Sequence, residues 1–175
     1  VTVTGAAYDV ATASVVNSLD VGNVRPGVAK NIVVGNTTIT NATYQDALQV
    51  AATSSKVSAF SVANPANIPA GQSGDVVLTT AGAGSLAGTS VSLALTSKAA
   101  ASGLSDVTLA AQTVAITGAV YDYALPNVPA SLDFGNVRLG ATSTLVVGNT
   151  KVSNAAYQDA LAVTVTSAGN AALST

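Results

Sequence analysis

Short runs in which apolar and small polar residues alternate recur along the chain, separated by glycine or proline. Asn17 to Val21 sets Leu19 and Val21 on one face, and the Gly22-Asn23 pair after it predicts a turn. Asn31 to Gly35 carries the β-branched run Ile32, Val33 and Val34. Ala47 to Ala51 alternates Leu48 and Val50 with Gln49, and Val57 to Val62 places Val57, Ala59 and Phe60 among serines. Pro65 and Pro69 break the chain before Asp75 to Thr80. Val91, Leu93 and Leu95 then alternate with Ser92, Ala94 and Thr96, and a last strand spans Val107 to Thr117. This pattern predicts about seven strands per unit, no amphipathic helix of ten residues or more, and one helical turn around Tyr44, Gln45 and Asp46. Period-two strands joined by small-residue turns predict an all-β fold, an antiparallel β-sandwich of immunoglobulin-like type.

The same pattern returns at an offset of 113. Residues 1–62 align without a gap on residues 114–175, with 33 of 62 positions identical. SLDVGNVRPG (Ser18 to Gly27) returns as SLDFGNVRLG (Ser131 to Gly140), and VVGNT…NATYQDAL (Val33 to Leu48) as VVGNT…NAAYQDAL (Val146 to Leu161). A 113-residue period is too long for a solenoid unit and suits tandem immunoglobulin-like sandwich repeats. The expected organisation is therefore 1–9 as the closing strand of a preceding repeat, 10–120 as a complete repeat, and 121–175 as the first half of the next. Both ends are then expected to pair with polypeptide of a neighbouring repeat or subunit.

Composition narrows the chemistry. The 175 residues are 49% apolar but only 8% charged, with net charge −2. There is no His, Cys, Met or Trp, and all eight acidic residues are Asp. Thiolate and imidazole chemistry is thereby excluded, and with it disulfides and most metal and nucleophile sites. Six scattered basic residues make no nucleic-acid footprint. No run of 18 apolar residues is present, so no membrane-inserting helix is expected. The expectation is a chain that is not an enzyme and holds no cofactor, calcium excepted.

Two segments carry a resemblance. S-L-D-F-G-N-V-R-L-G at Ser131 to Gly140, followed by V-G-N-T at Val147 to Thr150, and the tail S-G-L-S-D-V-T-L-A-A-Q-T-V-A-I-T-G-A-V-Y at Ser102 to Tyr121 are similar to one family. They resemble the ASH-type immunoglobulin-like repeat of bacterial choice-of-anchor D surface proteins. That resemblance implies an extracellular or cell-surface stalk, fibre, adhesin or biofilm-matrix protein built from tandem sandwiches, with no catalytic residues to carry over. The loop N-A-x-Y-Q-D-A-L (Asn41 to Leu48, Asn154 to Leu161) is not part of the family pattern.

The candidate sites are few. Asp9 and Asp122 lie at the junction between units, and Asp106 is in reach of the same junction, so the three are candidate ligands for an inter-repeat calcium ion. The competing reading is aspartates that are solvated or cap turns. Tyr44 and Tyr157 recur in the Y-Q-D loop and are candidate platforms for stacking on a glycan, against the alternative that they pack on neighbouring loops. Arg25 and Arg138 are the only basic residues at equivalent positions, and Asp20, five residues earlier, is the expected partner of Arg25. The function expected is structural or adhesive, with partners supplied by self-association and cell-surface polysaccharide. The alternative is a carbohydrate-binding or spacer module attached to an enzyme.

Overall fold

The computed structural model describes residues 1–99 and 101–166. The expected unit at 121–175 therefore extends beyond the described residues, which leave out 167–175. Ten strands form two sheets that enclose one core. The first sheet is antiparallel throughout and runs in the order β1 (Ala13–Val15), β3 (Ala29–Asn36), β6 (Ser73–Thr80), β5 (Phe60–Ala63). The second has the order β2 (Ser18–Val24), β10 (Gln112–Val120), β8 (Thr89–Lys98), β4 (Ala47–Ser54). Two short strands extend it: β7 (Gly84–Ser85) pairs with β10 and β9 (Val107–Thr108) with β8. Among the described residues no helix is long and apolar enough to cross a membrane.

Alternation decides which side chains face inward. In β3, Ile32 and Val34 are fully buried while Val33 between them is exposed. Val76 and Leu78 of β6 meet Leu48 and Val50 of β4, Val91, Leu93 and Leu95 of β8, and Val114 and Ile116 of β10 in a single apolar cluster. Both sheets contribute to that cluster, which makes the fold all-β and sandwich-like. Truncating fully buried Leu93 to alanine is expected to cost about 2–5 kcal/mol, because a packed core relaxes only partly into the cavity left behind.

Several sequence expectations require correction. The sheets are not purely antiparallel: β10 runs parallel to β2. Gly22-Asn23 is not a turn but a bulge within β2, where Asp20 to Asn23 spans three steps against two from Thr117 to Ala119. Gly118 makes this possible, since a Cβ there would lie 2.4 Å from the Gly22 carbonyl oxygen, and its φ is +117°. The predicted strand from Val107 to Thr117 is broken. Its pairing with β8 shifts by one residue between Thr108↔Thr96 and Gln112↔Leu93. Val57 is exposed in a turn and the strand begins at Phe60, which is buried. Between β6 and β8, Gly84-Ser85 pairs with β10 and Leu86 enters the core.

Residues 1–8 join no strand, and Val1 and Val3 are exposed. Beyond β10, the described chain holds only β11 (Pro126–Asn127) paired with β12 (Gly148–Asn149), and one 3₁₀ turn. Positions equivalent to buried residues of the first copy are open there. Ile32 is 0% exposed and Leu145 is 41%; Val50 is 3% and Val163 is 52%. Among the described residues no strand stands over them as β6, β8 and β10 do over the first copy.

Candidate functional site: the joint between residues 25 and 159

The Y-Q-D loop folds because Asn41 caps it. The Asn41 side chain accepts a hydrogen bond from the Thr43 amide at 2.9 Å, which starts a single 3₁₀ turn over Ala42–Tyr44. The extended Gln45-Asp46 pair then runs parallel to Asp9. The Asp9 amide donates to the Tyr44 carbonyl at 2.8 Å, and the Asp46 amide donates to the Asp9 carbonyl at 3.0 Å. Buried Asn36, the asparagine of V-G-N-T, holds this clasp from beneath. Its Nδ2 donates to the Asp46 and Ile68 carbonyls at 3.0 Å, and its Oδ1 accepts from the Thr12 amide and Gln45 Nε2. Gln45 is used at both ends, donating to the Thr37 carbonyl and accepting from the Ile39 amide.

The clasp is built again 113 residues later. The Asp122 amide donates to Tyr157, the Asp159 amide to Asp122, Asn149 Nδ2 to the Asp159 carbonyl, and Gln158 Nε2 to the Thr150 carbonyl. Asn154 caps the 3₁₀ turn Ala155–Tyr157 as Asn41 does the first. Tyr8 meets Tyr44 at 5.5 Å between ring centroids, and Tyr121 meets Tyr157 at 5.4 Å. Side-chain partners distinguish the copies. Asp46 accepts from Ser97 Oγ, which itself accepts from the Ala11 amide, whereas Asp159 faces Arg25.

Arg25 joins the first copy to the second. It lies just past the end of β2, where the Tyr121 amide donates to the Val24 carbonyl and brings the next clasp alongside. Its Nη1 donates to the Tyr121 and Asp122 carbonyls, each at 3.1 Å, and its Nη2 donates to Asp159 Oδ2 at 2.5 Å. The guanidinium also lies 4.3 Å from the centre of the Tyr123 ring. A planar, forked donor suits three oxygen acceptors and an aromatic face together, which a lysine cannot match. The Asp159 hydrogen bond raises the guanidinium pKa further above its ordinary range. Asn23, Val24, Arg25, Tyr121 and Asp159 line a shallow recess of about 300 Å³ at this joint.

No family model, curated protein or solved structure matches this chain. The residues singled out in the sequence fall into place differently. Asp9, Asp106 and Asp122 do not converge: among the described residues no three acidic side chains gather into a group able to hold a metal. Asp122 accepts from Ser153 Oγ at 2.7 Å, and Asp106 pairs with Lys98 and caps the Ala99 amide. The Lys98 hydrogen bond, helped by that amide, holds the Asp106 carboxyl below the usual range. Asp20 does not pair with Arg25. It turns back to the Gly22 amide at 2.9 Å and accepts from Thr117 Oγ1, as Asp133 turns back to Gly135. Tyr44 and Tyr157 each spend part of the ring on a second tyrosine, and Tyr44 is the more open to solvent.

Sequence reasoning missed the roles of Asn36, Gln45 and Asp159. The signal was there in the two segments that repeat with least change, V-G-N-T and N-A-x-Y-Q-D-A-L, which the fold brings together in one hydrogen-bond network.

Proposed function

We propose that this chain is part of an extracellular structural or adhesive protein. In this reading it belongs to a stalk, fibre or surface layer made of immunoglobulin-like repeats with a 113-residue period, of the ASH type that its sequence resembles. The observation that carries the reading is the Arg25 joint. A flexible tether between beads needs no guanidinium fixed by two backbone carbonyls, one carboxylate and one aromatic ring. Such a joint transmits orientation from one unit to the next, and length and stiffness follow from repeating it. Cell surface or matrix is the proposed location, and neighbouring repeats the proposed partners; no catalytic step is assigned.

Electron microscopy of the native material tests this. Extended rods or fibres with a regular axial spacing are expected. Compact particles without axial repeat would contradict it, and saturable glycan binding by such particles would favour a carbohydrate-binding module instead.

A further inference from the structure

We infer that the segment Gly82 to Leu86 is a second bearing surface of the joint, seated against the 3₁₀ turn of the second copy on the flank of β10 opposite Arg25. The inference rests on the proposed rod reading and deepens it. The joint is then a clamp with two supports, not a pivot about one side chain.

Strand β10 carries the chain from the first copy to the second clasp without a linker, and its last residues are held on both edges. Ala119 and Val120 pair with Asn23 and Val24 of β2 on one edge, and with Ser85 and Gly84 of β7 on the other. One residue later the Tyr121 amide donates to the Val24 carbonyl, and the next amide, of Asp122, already donates to Tyr157 in the second clasp. Arg25 follows β2 and so ties the second copy on the β2 edge alone. A tether on one edge leaves the second copy free to rock about the strand, as units with a small interface do. A support on the β7 edge removes that freedom.

The β7 edge makes such a contact. Gly84-Ser85 lies beside the turn Ala155–Tyr157. Lys56, Ser58, Gly82, Ala83 and Ser85 of the first copy line a cleft of about 160 Å³ together with Ser153 of the second. Each wall is braced from within its own copy. On the first wall, the Leu86 amide donates to the Gly118 carbonyl at 3.0 Å, its side chain is buried in the core, and Lys56 Nζ donates to the Ser85 carbonyl at 3.0 Å. On the second wall, Ser153 Oγ donates to Asp122 Oδ2 at 2.7 Å and Asn154 caps the turn. Neither wall owes its shape to a bond from Arg25, so the seating is a contact separate from the arginine.

Crosslinking within the 175-residue chain tests this. The chain has no cysteine, so Ala83→Cys with Ser153→Cys places a single thiol pair across the cleft. A short bismaleimide is expected to join the pair in full, both with Arg25 present and in the Arg25→Ala background. Failure to crosslink with Arg25 present would overturn the inference. So would crosslinking that is lost with Arg25→Ala, because the arginine alone would then seat the two copies. A wedge gives the second readout. Ala83→Trp, at a half-buried position facing the cleft, is expected to shift the mean distance between spin labels at Ser61→Cys and Lys151→Cys without broadening it severalfold. An unchanged mean would contradict a bearing at this place. The crosslink needs no bulky residue, so it decides the matter even where the tryptophan disturbs folding. Both readouts concern one chain in solution, so they can fail while microscopy shows rods, and hold where it shows none.

Discussion

The guanidinium of Arg25 lies 2.5 Å from the carboxylate of Asp159, a residue 134 positions further along the chain. A partly exposed ion pair is by itself a weak constraint. This one is specific because the same side chain also spans the Tyr121 and Asp122 carbonyls and lies over Tyr123. Loss of any one acceptor loosens the joint, whereas loss of the arginine removes all of them.

Asn36 and Asn149 make matching hydrogen bonds at very different burial, 1% exposed for the first and exposed for the second. Asn36→Ala takes the side-chain partner from the buried Thr12 amide and Asp46 carbonyl and one of two acceptors from Gln45 Nε2, and is expected to cost about 2–4 kcal/mol. Asn149→Ala is expected to leave the main unfolding transition within about 0.5 kcal/mol of wild type. Urea denaturation followed by circular dichroism compares the two. Equal losses would show that burial is not what makes the clasp of the first copy rigid.

The bulge makes a sharper demand on Gly118. An alanine there meets the backbone of Gly22 at 2.4 Å, with no flexible side chain to give way, and at an unfavourable φ. Gly118→Ala is expected to destabilise by on the order of 2–4 kcal/mol and to weaken the parallel β2–β10 pairing first. Hydrogen exchange of the Ala115 and Tyr121 amides, which donate to Asn17 and Val24, reports that pairing directly. Unchanged protection at both would argue against the bulge as described.

Asp106 provides a pH dependence. Its carboxyl is held below the ordinary value of 3.8 by Lys98 and the Ala99 amide, so the folded state binds its proton less readily than the unfolded chain. Its stabilising contribution is therefore fully present above the ordinary carboxylate pKa and is lost as pH falls through the lower, folded value. Carboxyl NMR titration is expected to give a midpoint for Asp106 below 3.8. The Asp106→Asn variant is expected to lose stability relative to wild type at neutral pH, with the difference vanishing in acid. A midpoint at or above the ordinary value would contradict the Lys98 pairing.

Much of the fold is legible where alternation is strict. Leu48 and Val50, Val91 to Leu95, and Val114 and Ile116 all stand on the inward face that their spacing indicates. Legibility ends where backbone geometry departs from period two. Gly22-Asn23 looks like a hairpin turn to local rules and becomes a bulge only because Gly118, 96 positions away from Gly22, lies against it. The joint was half legible. The repetition of Arg25 as Arg138 marks a residue in use, but nearness in sequence points to Asp20, and only the parallel placement of β10 beside β2 delivers Asp159 instead. The asparagines and glutamines of the clasp carry no charge and match no catalytic pattern, so their repetition was their only trace.

The central claim is that Arg25 fixes one unit's orientation on the next, and a distance measurement tests it most directly. The chain has no cysteine, so Ser61→Cys and Lys151→Cys, both at exposed positions on either side of the joint, take spin labels selectively. Pulsed electron paramagnetic resonance is expected to give one narrow distance distribution in this background. Adding Arg25→Ala is expected to broaden it severalfold while the circular dichroism of the sandwich stays the same. A distribution equally broad with and without Arg25 would contradict the account.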